Sequence, residues 1–318
     1  MKAFLVRRWF LLSLGAVMAV GLLGADFFRP FTDIASVRYA IVVTVLFLMA
    51  LPLEARTVWH TIRRPAAPAL GVLMNSLFLP LVAWLFVATA GEALLGSELS
   101  LGLLVAAATP CTLASAAVWT RRAGGNDAAS IVVTVVTNAS CFLVTPFWLL
   151  ITTGQQAELD AGDMITSLAL VVVLPMTVAQ LLRIVAPRVG RWATRQKTPL
   201  GVIAQTGVLM MVFIGSVRTG NRFASTDAQS SVLQVLALLV TVTVIHVFVL
   251  SVGLAVARLT RLERRDQISV GFAGSQKTQM VGLQVCIELG FNIVPMVAYH
   301  VSQLLVDTLI ADRLRRRG

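Results

Sequence analysis

Two short polar runs interrupt an otherwise apolar chain, and their side chains are of the kind that hold a solute or an ion inside a hydrophobic medium. One is TPCTLASAAVW, Thr109 to Trp119; the other is GFAGSQKTQMVG, Gly271 to Gly282. Pro110 cannot donate a backbone hydrogen bond and disfavours helix at Thr109. Thr109, Thr112 and Ser115 offer hydroxyls to the backbone groups released there. In the second run Ser275, Gln276, Lys277, Thr278 and Gln279 are consecutive, which is costly at mid-membrane depth unless they line a cavity. Half-helix N-termini after such breaks present N–H groups and a positive dipole end, and Lys277 adds a full charge with no acid between Asp266 and Glu288. The expected solute is therefore a small or amphipathic organic anion, bound by Pro110, Thr112, Ser115, Asn138, Ser275, Gln276, Lys277 and Thr278. The plainer alternatives are a Pro-kinked helix for the first run and a short loop between half-spans for the second.

These runs need a membrane around them, and the composition supplies it. Of 318 residues, 57% are hydrophobic and 13% charged, with mean hydropathy +0.84, against about 25% charged in a soluble domain. That excludes a secreted disulfide scaffold, a disordered regulator and a cytosolic enzyme. Ten apolar stretches of spanning length are expected, roughly at 9–25, 37–54, 67–90, 99–120, 127–153, 163–186, 200–217, 229–257, 267–288 and 291–311. They are apolar on every face, so helices are expected and a polar-lumen barrel is not. Basic residues gather in the N-terminal tail (Lys2, Arg7, Arg8) and in every second connection, with Arg56, Arg63, Arg64, Arg121, Arg122, Arg183 to Lys197, Arg258 to Arg265 and Arg313 to Arg317. The opposite side carries Arg29, Arg38, Arg218 and Arg222 among Glu92, Glu98, Glu158, Asp160 and Asp163. The positive-inside rule then places both termini in the cytoplasm of a multi-pass cell-membrane protein. The net charge of +11 reflects topology and anionic lipid rather than nucleic acid. Arg7-Arg8 before an apolar run also resembles a signal peptide, but cleavage would leave nine spans, so a first transmembrane helix is expected. Cys111, Cys141 and Cys286 have neither disulfide nor zinc spacing and are read as reduced packing residues.

Ten spans divide into five and five, and because five is odd the second half must lie inverted. The expected fold is an all-α polytopic membrane protein with two inverted five-helix repeats, about 9–153 and 163–311, in a single domain covering 1–318. Broken helices four and nine should cross near the midplane, the arrangement of secondary transporters.

On TPCTLAS, the following RRAGGNDAAS (Arg121 to Ser130) and GFAGSQKT, the chain resembles the bile acid:sodium symporter family, nearer its SBF-like branch than the animal bile-acid carriers. The wider superfamily also holds arsenite efflux permeases. The resemblance implies a core of helices 3–5 and 8–10 moving against a panel of helices 1, 2, 6 and 7, with solute and ions at the crossing. It also implies sodium ligands at Asn75 before Pro80, Ser115, Ser130, Thr134 and Gln279. It departs from the family pattern at Ala116, where an asparagine is usual, and near Ser275, where a glutamate is usual. Sodium prefers oxygen ligands that include a carboxylate. The Lys277 ammonium is therefore read as occupying one sodium position, so that anion binding is linked to proton uptake; the alternatives are sodium as coupling ion, or a Lys277 that reaches an aqueous face.

Other residues are read more plainly. His246 and His300 are packed histidines bonded to a neighbouring helix before they are proton relays. Asp307, near the cytoplasmic end of span ten, either pairs with Arg313 or binds an ion. Asn138 either faces the crossing or stitches helices. Gly124-Gly125-Asn126 forms a turn, and GFAGSQKT lacks the glycine and strand of a phosphate loop. No span supplies a paired base and nucleophile or a metal cluster, so no enzyme and no cofactor other than sodium is expected. A non-transporting sensor would need no matched breaks, and a metalloid efflux permease would use Cys111 as a soft ligand. The oligomeric state is not readable from the sequence.

Overall fold

The computed structural model describes residues 2–32, 34–53, 61, 64–113, 115–153, 160–223 and 228–316, with side chains except those of 2–8 and 221–231. The topological expectations on Arg56, Arg63, Glu158 and Arg317, and on the side chains of Lys2, Arg7, Arg8 and Arg222, lie outside the described residues. Among those described there is helix but no strand, as an apolar chain that must satisfy its own backbone requires.

α1 (Lys2–Leu23) turns by 100° at Gly24 into α2 (Ala25–Thr32), and α3 (Ala35–Ala50) follows. The run Ala66–Ala108 breaks at Gly96, where φ of 76° and ψ of 168° suit only glycine, and divides into α4 (66–95) and α5 (97–108). Then come α6 (Ala116–Arg122), α7 (Asp127–Thr153), α8 (Ala161–Val185), α9 (Pro187–Arg195), α10 (Lys197–Phe223) and α11 (Ala228–Leu259). α12 (Arg264–Ser275), α13 (Gln279–Glu288) and α14 (Val294–Arg316) complete the order.

Among the described residues, six helical runs are long and apolar enough to cross a bilayer, and the bent α1–α2 pair, taken as one span, makes a seventh; α3, at 16 residues, is shorter. The remaining apolar stretches of the sequence fall short because proline or polar residues cut them into pieces. α1, α2 and α3 pack on α10, and α3 also packs on α8. A second group, α4 to α7 with α11 to α14, surrounds the two interrupted segments. α7 packs on α8 and α13 on α10, joining the groups. The expected turn at Gly124 is present, with φ of 80°. All three cysteines are free and buried.

Candidate functional site: two broken helices that satisfy each other

Both polar runs are breaks. α5 ends at Ala108, and Thr109 is extended, with φ of −73° and ψ of 158°. α12 ends at Ser275, and Gln276 and Thr278 are extended, at ψ of 143° and 125°. A break buried in an apolar core exposes carbonyl and N–H groups, each of which needs a partner.

The first break is satisfied group by group. Pro110 has no N–H for the Ala106 carbonyl, so the Thr109 hydroxyl donates to it at 2.8 Å. Thr145 on α7 donates to the Ala108 carbonyl at 2.9 Å. Asn138 Nδ2 reaches the Cys111 carbonyl at 2.7 Å, Thr134 the Thr112 carbonyl at 3.3 Å, and the Cys111 N–H donates to Thr137 Oγ1 at 3.2 Å. The Thr109 and Pro110 carbonyls are taken by the other break: Lys277 Nζ donates to Thr109 O at 2.7 Å and the Thr278 N–H to Pro110 O at 2.9 Å.

The second break draws on α4, α11 and α14. Gln303 clasps Lys277, accepting from its N–H and donating to its carbonyl, both at 2.9 Å. Tyr299 Oη donates to the Ser275 carbonyl at 3.0 Å, and His246 Nδ1 lies 3.2 Å from the same oxygen. Asn75 Nδ2 donates to the Gln276 and Ala273 carbonyls, at 2.8 and 3.1 Å.

Pro80 explains how α4 can receive Lys277. The Leu79 N–H bonds five residues back to Met74 in a widened turn, Met74–Phe78, and Pro80 has no N–H to offer the next carbonyls. Two carbonyls of this turn then bond outside the helix: Ser76 O accepts from Trp148 Nε1 at 2.7 Å, and Asn75 O accepts from Lys277 Nζ at 2.7 Å. The ammonium also lies 3.3 Å from Asn75 Oδ1. Lys277 is fully buried, so it does not reach an aqueous face. Its ammonium sits among three neutral oxygens, one of them released by Pro80 and one by the break at Pro110.

The expected site residues divide as follows. Pro110, Ser115, Gln276, Lys277, Thr278 and Asn75 meet at the contact between the breaks, where Ser115 Oγ donates to Gln276 Oε1 at 2.9 Å. Thr112, Thr134 and Asn138 belong to the bonding of the first break, and the Ser275 carbonyl to that of the second. Ser130 stands apart and bonds Thr120 Oγ1 at 2.7 Å. Among the described residues neither amide atom of Gln279 has a hydrogen-bond partner, although it is buried, and Asn138 Oδ1 is likewise unpartnered.

One plainer reading is corrected. Asp307 does not pair with Arg313: it is fully buried, with Oδ1 at 2.8 Å from His246 Nε2 and Oδ2 accepting from Gln276 Nε2. His246 is the packed histidine bonded to a neighbouring helix that was expected, its partner being Asp307 on α14. Gln303 and Tyr299 escaped sequence reasoning, although Tyr299, Gln303 and Asp307 recur every fourth residue and so form one polar stripe.

The SBF-like CPA transporter family matches residues 8–316. The chain belongs to that family. It is 21% identical over 323 residues to "Sodium/bile acid cotransporter 7-A" of Xenopus laevis, covering 97% of this chain and 92% of the relative. "Sodium/bile acid cotransporter 7" of Mus musculus is 22% identical over 322 residues, covering 97% and 93%. With its apolar helices, this SBF-like chain is a multi-pass membrane transporter.

Proposed function

We propose that the chain is a secondary active transporter of a small or amphipathic organic anion, working by alternating access. The observation that carries the reading is the direct bonding of the two breaks, Thr278 N–H to Pro110 O and Lys277 Nζ to Thr109 O. In this reading ten spans form two inverted halves. α1, α3, α4, α5–α6 and α7 belong to the first, and α8, α10, α11, α12–α13 and α14 to the second. Equivalent support comes from equivalent members: α7 supplies Thr134, Thr137 and Asn138 to the first break, and α14 supplies Tyr299 and Gln303 to the second. The group around the breaks is the mobile core and α1, α3, α8 and α10 are the panel. Both termini lie on the basic, cytoplasmic side of the cell membrane.

A crevice of about 390 Å³ runs between the two groups from Lys197 past Trp9 and Leu48 to Leu113 in the first break. One cation on an otherwise largely apolar wall suits an amphipathic anion. Lys277 stands in for a bound cation, holding the breaks together through oxygens that a sodium ion would otherwise use. Sodium is the second reading for coupling, favoured by the open acceptors Gln279 Oε1 and Asn138 Oδ1 and by the names of the relatives.

The test is thermal stabilisation of the purified protein by taurocholate, aryl carboxylates and aryl sulfonates, each with and without sodium and alongside organic cations. Stabilisation by anions supports the reading. Competitive stabilisation by cations, with no response to carboxylates or sulfonates, refutes it.

A further inference from the structure

The His246–Asp307 contact has a hydrogen-bond polarity that can be worked out link by link. Both residues are fully buried. The Ser275 carbonyl can only accept, so His246 Nδ1, 3.2 Å away, carries a proton. One further proton lies between Nε2 and Asp307 Oδ1, 2.8 Å apart, whether it is closer to nitrogen or to oxygen. Asp307 Oδ2 accepts from the Gln276 amide N–H, and Gln276 Oε1 in turn accepts from the Ser115 hydroxyl at 2.9 Å. A chain of fixed direction thus runs from the first break, through Gln276, to a shared proton, and back to the second break at Ser275.

We propose that His246 and Asp307 form a proton-binding site whose occupancy sets the orientation of the Gln276 amide and, through it, the bond between the two broken segments. With one shared proton the pair is neutral overall and the amide is oriented as seen. A second proton, taken from water, gives an imidazolium and a carboxylic acid with net charge +1. Its O–H on Oδ2 then faces an N–H and has no acceptor. The amide must turn over, presenting Oε1 to Asp307 and its NH₂ to Ser115, which becomes the acceptor. Release of that proton to water reverses each step. The site lies beside Lys277 but is separate from it, since the Lys277 ammonium bonds neutral oxygens only. The other titratable groups facing the pair are Tyr299, whose ring lies edge-on to His246 at 6.0 Å between centroids, and Cys111 in the first break, while His300 on the same helix bonds Gln303 instead. The coupling role of this proton rests on the transporter reading; the site itself does not.

The chain has three histidines, so ¹⁵N-imidazole spectra of the lipid-reconstituted protein are simple, and His246→Gln assigns the signal. The expected result is a His246 ring protonated at Nδ1 throughout. On acidification a change in a carboxylic C=O band, absent in Asp307→Asn, is expected in infrared difference spectra. A His246 ring in the Nε2–H tautomer with bare Nδ1 overturns the inference. So does the lack of any carboxylic C=O change in the wild type, a measurement independent of how the variants fold. Neither readout needs a solute. Failure of every anion in the stabilisation panel would therefore remove the transport reading and leave this site standing, whereas a silent His246–Asp307 pair would remove the site and leave anion transport standing.

Discussion

If the Lys277 ammonium occupies a cation position, deleting it should create a cation site. Lys277→Ala removes the donor to Asn75 O and Thr109 O, both at 2.7 Å, and the weaker contact to Asn75 Oδ1. Two buried carbonyls left without partners cost about 1–3 kcal/mol each, so the variant should lose about 2–6 kcal/mol before any relaxation. The space left by the side chain is lined by these same oxygens, a donor set of the type sodium accepts. A sodium ion present at about 100 times its Kd would restore about 2.7 kcal/mol, a gain comparable with the loss. Lys277→Met separates space from charge, because its thioether refills the cavity and leaves no room for an ion. The assay is thermal unfolding in micelles, comparing sodium chloride with N-methylglucamine chloride at equal ionic strength. Sodium should stabilise the alanine variant markedly and the methionine variant and wild type little. An alanine variant indifferent to sodium, or a wild type that responds equally, refutes the idea that the ammonium replaces an ion.

Asn75→Ala should destabilise by about 2–5 kcal/mol, because the Gln276 and Ala273 carbonyls both lose their donor; a denaturation midpoint within error of wild type would contradict the bonding described. Gly96→Ala must hold φ of 76° and place its Cβ 3.2 Å from Gln234 Nε2, so a loss of about 1–2 kcal/mol is expected, read by the same unfolding assay, with no loss counting against the break. Gly274→Val should do more, since even a Cβ there comes within 2.7 Å of Met74 Cβ, and lower the yield of monodisperse protein in size-exclusion chromatography. Cys111 is wholly buried, with Thr134 donating to its sulfur at 3.5 Å; it should resist maleimide in the folded protein, and arsenite tolerance of expressing cells should not depend on it. Tolerance that disappears with Cys111→Ser would establish metalloid efflux instead.

Much was legible in the sequence because the bilayer leaves a chain few choices. Apolar stretches had to be helices, and two polar runs around Pro110 and Lys277 could persist only as breaks whose backbone found partners elsewhere. Pro80 removes the N–H that the Ser76 carbonyl would use in a regular helix, but the widened turn that frees the Asn75 carbonyl as well was decided by the structure. What the sequence could not decide was which partner each released group would take. That depends on how the helices rotate and cross, which is set by packing between residues as distant in sequence as Asn75 and Lys277, or Gly274 and Met74. Asp307 makes the point most clearly: ten residues of helical context left it between Arg313 and an ion. Only the approach of α11 to α14 put His246 at 2.8 Å from its carboxyl. Local sequence determines where a backbone must break in a membrane, because that is a matter of missing donors. Tertiary packing determines what completes it, because a hydrogen bond forms only where two groups are brought within about 3 Å.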